Sequence, residues 1–277
     1  MSILNHKFKK SWLSWLLLML IIAVYAPTVL WLFDRWTMSV WHNGHSILIA
    51  PLVVYLIWNE LKKHRSLPVI ADGLGFFILI PALIIHILDT GIHSMLLSAF
   101  SLFLALPGLS LLFIGRERSK AIIFPLIMFF LTLPIPLFLT ESIHLILRQV
   151  STYGTVFMLR FFGIPVFVQG TTLEIPNGVL QVAYACSGFS TLYASVTIAF
   201  LVAYFCPDKQ RRILVLIIAA PLAIGVNIIR IFLLCLMVYW MGVDILKTSL
   251  HEISGLLTFV IAIPLIFLIG QPPAKSK

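Results

Sequence analysis

Long apolar runs, broken by short polar or charged stretches, set the pattern of this 277-residue chain. The first runs from about Trp12 to Leu32, behind the basic stretch Asn5-His6-Lys7-Phe8-Lys9-Lys10. Others follow at about Ser46 to Leu61, Leu74 to Leu88, His93 to Ile114, Ala121 to Leu139, Gly188 to Cys206, Ile213 to Trp240 and Ile253 to Ile269. A helix rising ~1.5 Å per residue crosses a ~30 Å hydrocarbon layer in about 20 residues. The pattern therefore predicts an all-α polytopic membrane protein with about eight transmembrane helices. The first run is too long for a signal-peptide core and no small-residue cleavage site follows it, so it is expected to remain as a span.

Two segments depart from this pattern. Thr140 to Ile164 is apolar enough to look like a span but carries Glu141, His144, Arg148, Gln149 and Arg160. From Val166 to Ile175 and from Val179 to Tyr184 the chain is β-branched and alternating, on either side of Pro176-Asn177-Gly178. Such runs around Asn-Gly predict a short β-hairpin. Hydrocarbon does not tolerate its open edges, so the hairpin is expected outside the bilayer or packed on protein.

Charge orients the spans. With Lys7, Lys9 and Lys10 inside, five spans bring the chain outside at Thr140. A crossing between Thr140 and Ile164 would put Lys209, Arg211 and Arg212 outside, against the excess of Lys and Arg on cytoplasmic sides. An outward-facing interfacial helix restores the bias. It leaves Arg35, Arg148, Arg160, Arg230 and Lys247 as the exceptions among the 19 basic side chains. Both termini are then cytoplasmic, and the interfacial helix and hairpin face outward just before Cys186.

Composition agrees. The chain is 61% hydrophobic and 10% charged, against about 25% charged in soluble domains, and its mean hydropathy is +1.07. The net charge of +9 sits in clusters between apolar runs, so it reads as topology and not as nucleic-acid binding. The lipid bilayer is the expected partner. Cys186, Cys206 and Cys235 offer neither a disulfide framework nor a CxxC motif. His42 and His45 lack a third partner for a metal, so no metal and no cofactor is expected. No repeat or linker divides the chain, and 1–277 reads as a single integral membrane domain.

The chemistry concentrates in 185–255. Cys186, in Ala185-Cys186-Ser187-Gly188, precedes a span running inward, which puts it at the outer surface beside a helix N-terminus. Arg230 lies ten residues before Trp240, on the order of 15 Å down the helix, and its long side chain can snorkel outward. His251 opens the last span on the same side. A helix N-terminus, an Arg or a His⁺ lowers a thiol pKa. His251 can move a proton near neutral pH, and Arg230 is a fixed charge for a thiolate or oxyanion. The set supports attack on a carbonyl through a thioacyl intermediate. The plainer readings are a packing cysteine, an Arg230 paired with Asp89 or Glu252, and a solvated helix start at His251. Asn227, on the Arg230 face, either orients that side chain or bonds between helices. His86 and Asp89, one turn apart, read as a structural pair. In a second functional reading the protein is a small-solute transporter or channel whose polar path runs past Arg230 and Asn227. The absence of two matching halves with broken helices weighs against that reading.

These residues resemble signatures of the exosortase/archaeosortase family. Ala185-Cys186-Ser187-Gly188 resembles its ACSG motif, Asn227-Ile228-Ile229-Arg230 its NxxR, and His251-Glu252-Ile253-Ser254-Gly255 its HxxxG. Phe124-Pro125, Pro134-Ile135-Pro136, the stretch from Leu159 to Gly170 and that from Val53 to Trp58 resemble further family stretches. The similarity covers about Tyr25 to Gly270. Gly44-His45 stands where His-Gly is frequent, and Glu252 where Asp is. The resemblance implies a membrane-embedded cysteine transpeptidase or protease of the bacterial cytoplasmic (inner) membrane, with its active site facing the periplasm or exterior. It implies Cys186, Arg230 and His251 as catalytic residues, with Asn227, Ser187, Gly188 and Glu252 in support. Its expected substrates are exported, membrane-anchored proteins with a PEP-CTERM-like C-terminal sorting signal: a short motif, a membrane helix and a basic tail. The cleaved product passes to an acceptor, such as an amine, a lipid or a polysaccharide.

Overall fold

The computed structural model describes residues 2–38, 46–247 and 250–271, with backbone only at some positions, including His251 and Glu252. His42 and His45 lie outside the described residues. The chain divides into two compact units, Met1–Ile135 and Pro136–Lys277.

The first unit holds α1 (Ser2–Thr37), α2 (Ser46–Lys63), α3 (Leu74–Ile92), α4 (Leu96–Ile114) and α5 (Arg116–Met128), then a 3-10 turn at Phe129–Thr132. Helices α3 and α4 pack closely because Gly75 and Gly108 bring their backbones together: a Cβ on Gly75 would lie 2.5 Å from the Gly108 carbonyl oxygen. Met95 precedes α4 without a side-chain cap. The buried carboxylate of Asp89 does that work, accepting the Ser98 amide at 3.1 Å and the Ser94 hydroxyl at 2.6 Å. His86 Nδ1 is 3.0 Å from Ser98 Oγ, so the His86 and Asp89 pair is joined through Ser98.

The second unit runs through α6 (Leu137–Phe161), β1 (Phe167–Gln169), β2 (Thr172–Ile175), β3 (Gly178–Gln181), a 3-10 turn at Tyr184–Cys186, α7 (Phe189–Phe205), α8 (Lys209–Met241), a 3-10 turn at Val243–Lys247 and α9 (Leu250–Gly270). Along α6 the buried face is largely polar, with Thr140, His144, Ser151 and Thr155 at helical spacing. Phe138, Ile146, Tyr153, Phe157 and Phe161 are exposed. Gly154 lets α8 approach, since a Cβ there would meet Ile228 Cδ1 at 2.7 Å. Small residues where two apolar helices cross permit this close approach.

The predicted hairpin is a three-stranded antiparallel sheet in the order β1-β2-β3. The run from Val166 to Ile175 folds back on itself at Gly170, whose φ is +63°. At the second turn Ile175 pairs with Gly178, so the loop is Pro176-Asn177 and not Asn177-Gly178. Proline explains the shift. It has no N–H for the closing strand pair, and its fixed φ suits the first corner of a type II turn. Asn177 takes the second corner at φ 72°. Gly178 then faces α8, where a Cβ would lie 2.7 Å from Val238 Cγ1, and Asn177 Nδ2 donates to the Tyr239 carbonyl at 2.8 Å. Leu173, Ile175, Leu180 and Val182 pack with Val156 and Leu159 of α6 and with Ile231, Leu234 and Val238 of α8. The sheet is thus seated on protein. Arg148 of α6 secures its edge, donating to the Val182 carbonyl and to Thr171 Oγ1 at 2.8 and 2.6 Å.

The expectation of eight spans is met only in part. Among the described residues, five helical segments are long and apolar enough to cross a membrane: Trp15–Thr37, Leu74–Ile92, Leu96–Ile114, Lys209–Met241 and Ile253–Gly270. There are up to six if Arg116–Thr132 and Leu137–Phe161 count as one broken span. The other three predicted spans fall short for visible reasons. Helix α2 has 18 residues that include Glu60, Lys62 and Lys63, α5 has 13 residues, and α7 has 17.

Candidate active site

The Cys186 segment is a tight local structure. Cys186 N donates to the Ala183 carbonyl at 2.9 Å and Ser187 N to the Tyr184 carbonyl at 3.2 Å. Gly188, at φ +80°, is the N-cap of α7. A Cβ at Gly188 would lie 2.6 Å from Asn227 Cγ. Gly188→Ala should therefore combine the left-handed penalty with a collision against α8. The expected loss is at least ~2 kcal/mol, read as a lower unfolding temperature in detergent.

The Cys186 side chain is enclosed by protein. It is 5% exposed and belongs to the core formed by the sheet, α6 and α8. Its carbonyl accepts from Asn227 Nδ2 at 3.2 Å, and the same nitrogen donates to Ser151 Oγ of α6 at 3.0 Å. Asn227 thus bonds between elements, whereas Arg230 turns toward α9 and donates from Nε to Ser254 Oγ at 3.1 Å. Asn227 Oδ1 is buried with no hydrogen-bond partner among the described residues.

Arg230 lines an apolar groove of about 110 Å³ between α8 and α9, with Leu233, Met237, Ile253 and Leu257. The guanidinium lies beside Gly255, where a Cβ would stand 3.4 Å from Arg230 Nη2, an ordinary contact distance. The polar path imagined for a transporter is divided in this arrangement, because Asn227 faces α6 and the cysteine turn while Arg230 faces α9. The side chains of His251 and Glu252 lie outside the described residues. Among the described residues, no group of three or more His, Cys, Asp or Glu could hold a metal ion.

The thiol departs from expectation. Burial pushes the Cys186 pKa up, and this outweighs the lowering influence of Arg230 and of the hydrogen bond involving the Ala183 backbone. Raising the pH converts thiol to thiolate only above the usual cysteine range. Alkylation of Cys186 in the substrate-free protein should therefore keep rising with pH where a free cysteine has levelled off. N-ethylmaleimide kinetics followed by mass spectrometry of the Cys186 peptide would check this.

Sequence reasoning overlooked His144. Its imidazole is 2% exposed, with Nδ1 2.7 Å from Ser187 Oγ. The ring stacks on Tyr184 at 3.6 Å between centroids and lies 4.5 Å from the Phe189 ring. The available signal was its place on the polar stripe Thr140-His144-Ser151-Thr155 of α6.

The profile described as transmembrane exosortase (Exosortase_EpsH) matches residues 36–268. The chain belongs to the transmembrane exosortase family. No curated protein and no solved structure matches it. The matched range contains Cys186, Asn227, Arg230 and His251. This exosortase-family protein is accordingly a multi-pass membrane protein, of a family that acts on membrane proteins bearing C-terminal signals.

Proposed function

We propose that this protein is a membrane transpeptidase that cleaves a C-terminal sorting signal through a thioacyl intermediate on Cys186 and passes the product to an acceptor. One observation carries the reading. The Cys186 carbonyl is bonded by Asn227, one helical turn from Arg230 on the same helix.

Length supports an outward position for this site. Helix α8 has 33 residues, or ~50 Å, against a ~30 Å hydrocarbon layer. Counting about 20 residues outward from the basic cluster Lys209–Arg212 brings the far boundary near Leu233. Arg230 is then within about one turn of the boundary, and Cys186, held at Asn227, is just below it. The sheet packs against Val238 and Tyr239, beyond the boundary. The scissile peptide, just outside the substrate's membrane helix, meets the thiol there, where an acceptor from the exterior can also arrive.

The steps follow from the groups. The Cys186 sulfur attacks the scissile carbonyl while its proton passes to His251. Arg230 balances the charge on the oxyanion. The C–N bond breaks, the leaving amine takes the proton from His251, and a thioester remains. An acceptor amine then attacks the thioester and the thiol is regenerated; water in its place gives hydrolysis. In this reading the PEP-CTERM-like motif is the cleaved signal, the membrane is the bacterial inner membrane, and both termini are cytoplasmic. Co-expression with a signal-bearing protein, followed by a search for a thioester adduct on the Cys186 peptide, tests it. An adduct sensitive to hydroxylamine is expected. Processing without any adduct, undiminished when Cys186 is alkylated, would overturn it.

A further inference from the structure

The turn that carries the thiol is held by side chains from two helices. From α8, Asn227 bonds the Cys186 carbonyl. From α6, His144 touches the residues on both sides of Cys186: its ring stacks on Tyr184, its Nδ1 bonds Ser187 Oγ, and its ring also meets Phe189. Ser187 Oγ also accepts the Phe189 amide at 3.3 Å, so this hydroxyl links the His144 ring to the first residue of α7.

We infer that His144 is a positioning residue for the Cys186 nucleophile, acting through Ser187. The segment needs such a hold. Three residues of 3-10 turn are followed by Ser187 and then a left-handed glycine, and short 3-10 turns have poor hydrogen-bond geometry of their own. A thiol on a turn free to shift by an ångström loses its line of attack. His144 and Ser187 are 43 residues apart in sequence, and α6 contributes none of the three residues proposed for the chemistry. Its polar stripe serves the turn instead, with Ser151 meeting Asn227 and His144 meeting Ser187.

The inference rests on Cys186 being the nucleophile, so the test reads the thiol and the reaction separately. His144→Phe keeps a ring between Tyr184 and Phe189 but removes the bond to Ser187, and Ser187→Ala removes the same bond from the other side. Each variant is compared with the parent in detergent for Cys186 alkylation by N-ethylmaleimide and for processing of a signal-bearing protein. Each single change should lower kcat by about a hundredfold with KM within about twofold. Each should raise the alkylation rate about fivefold, the effect of one lost hydrogen bond. The double variant should be no worse than either single one, because both act on one bond. His144→Asn, which keeps a polar atom toward Ser187, should recover part of the loss. Unchanged alkylation and kcat in folded His144→Phe would overturn the assignment, as would losses that add in the double variant. Should the parent process no signal-bearing protein, the proposed function fails while alkylation still decides: a shared, non-additive rise supports the positioning role, and no change removes it.

Discussion

Replacing Cys186 by alanine will abolish processing of a signal-bearing substrate while leaving the protein folded. The loss should reach about 10⁴-fold or more, as expected when a covalent nucleophile is removed. Stability should barely respond. Cys186 is a small buried side chain in the core that joins α6, α8 and the sheet, and losing its sulfur costs about 1 kcal/mol. The contacts that build the turn are made by the Cys186 backbone, by Ser187 and by Tyr184, and alanine keeps all of them. Processing is read as the mobility shift of the substrate, and folding as the unfolding temperature in detergent. Full processing by a folded Cys186→Ala protein would remove the thiol from the mechanism.

The second large effect is expected at Arg230. Arg230→Lys retains a positive charge and should still lower kcat by about a hundredfold, the typical cost of one donor to a developing oxyanion. Geometry is the reason. The Arg230 Nε is committed to Ser254 Oγ, and the planar fork presents further nitrogens beside Gly255. Lysine has one nitrogen; if it bonds Ser254, it has no second nitrogen for the substrate. The drop should appear in kcat with KM nearly unchanged, since the interaction matures only as the oxyanion forms. Parent rates in Arg230→Lys would argue that the guanidinium only joins α8 to α9.

The number of spans illustrates how far pattern reasoning reaches. Hydropathy located the helical stretches, but α1 begins at Ser2 where Trp12 is expected, and α5 ends at Met128 where Leu139 is expected. Eight spans are not confirmed, because three of the apolar stretches form helices that are short or carry several charges. Residues 46–61 and 188–206 look sufficient as apolar text, yet their helices have 18 residues with three charges and 17 residues. In the same way the β-branched runs are legible as strands, but Gly170 falls inside one such run although its φ of +63° makes it a turn. Pro176-Asn177-Gly178 shows the limit more sharply. The motif announces a turn, and the missing N–H of proline determines which two residues form it.

By itself the sequence determined that this is a polytopic membrane protein of the exosortase family, and which residue types are available for chemistry between 185 and 255. These properties are local: apolar length, charge clusters and short motifs are readable without knowing what packs against what. Only the tertiary structure decided where Cys186 lies. The thiol is buried within the protein at the level of Asn227 and pushed up in pKa by desolvation, which its place before a helix N-terminus does not announce. The tertiary structure also decided that Asn227 serves the cysteine turn, and that His144, far from it in sequence, stacks against that turn. Burial and long-range hydrogen bonds depend on how α6, the sheet, α7 and α8 stack. A periodic pattern states which face of a helix turns inward, but not what it meets there.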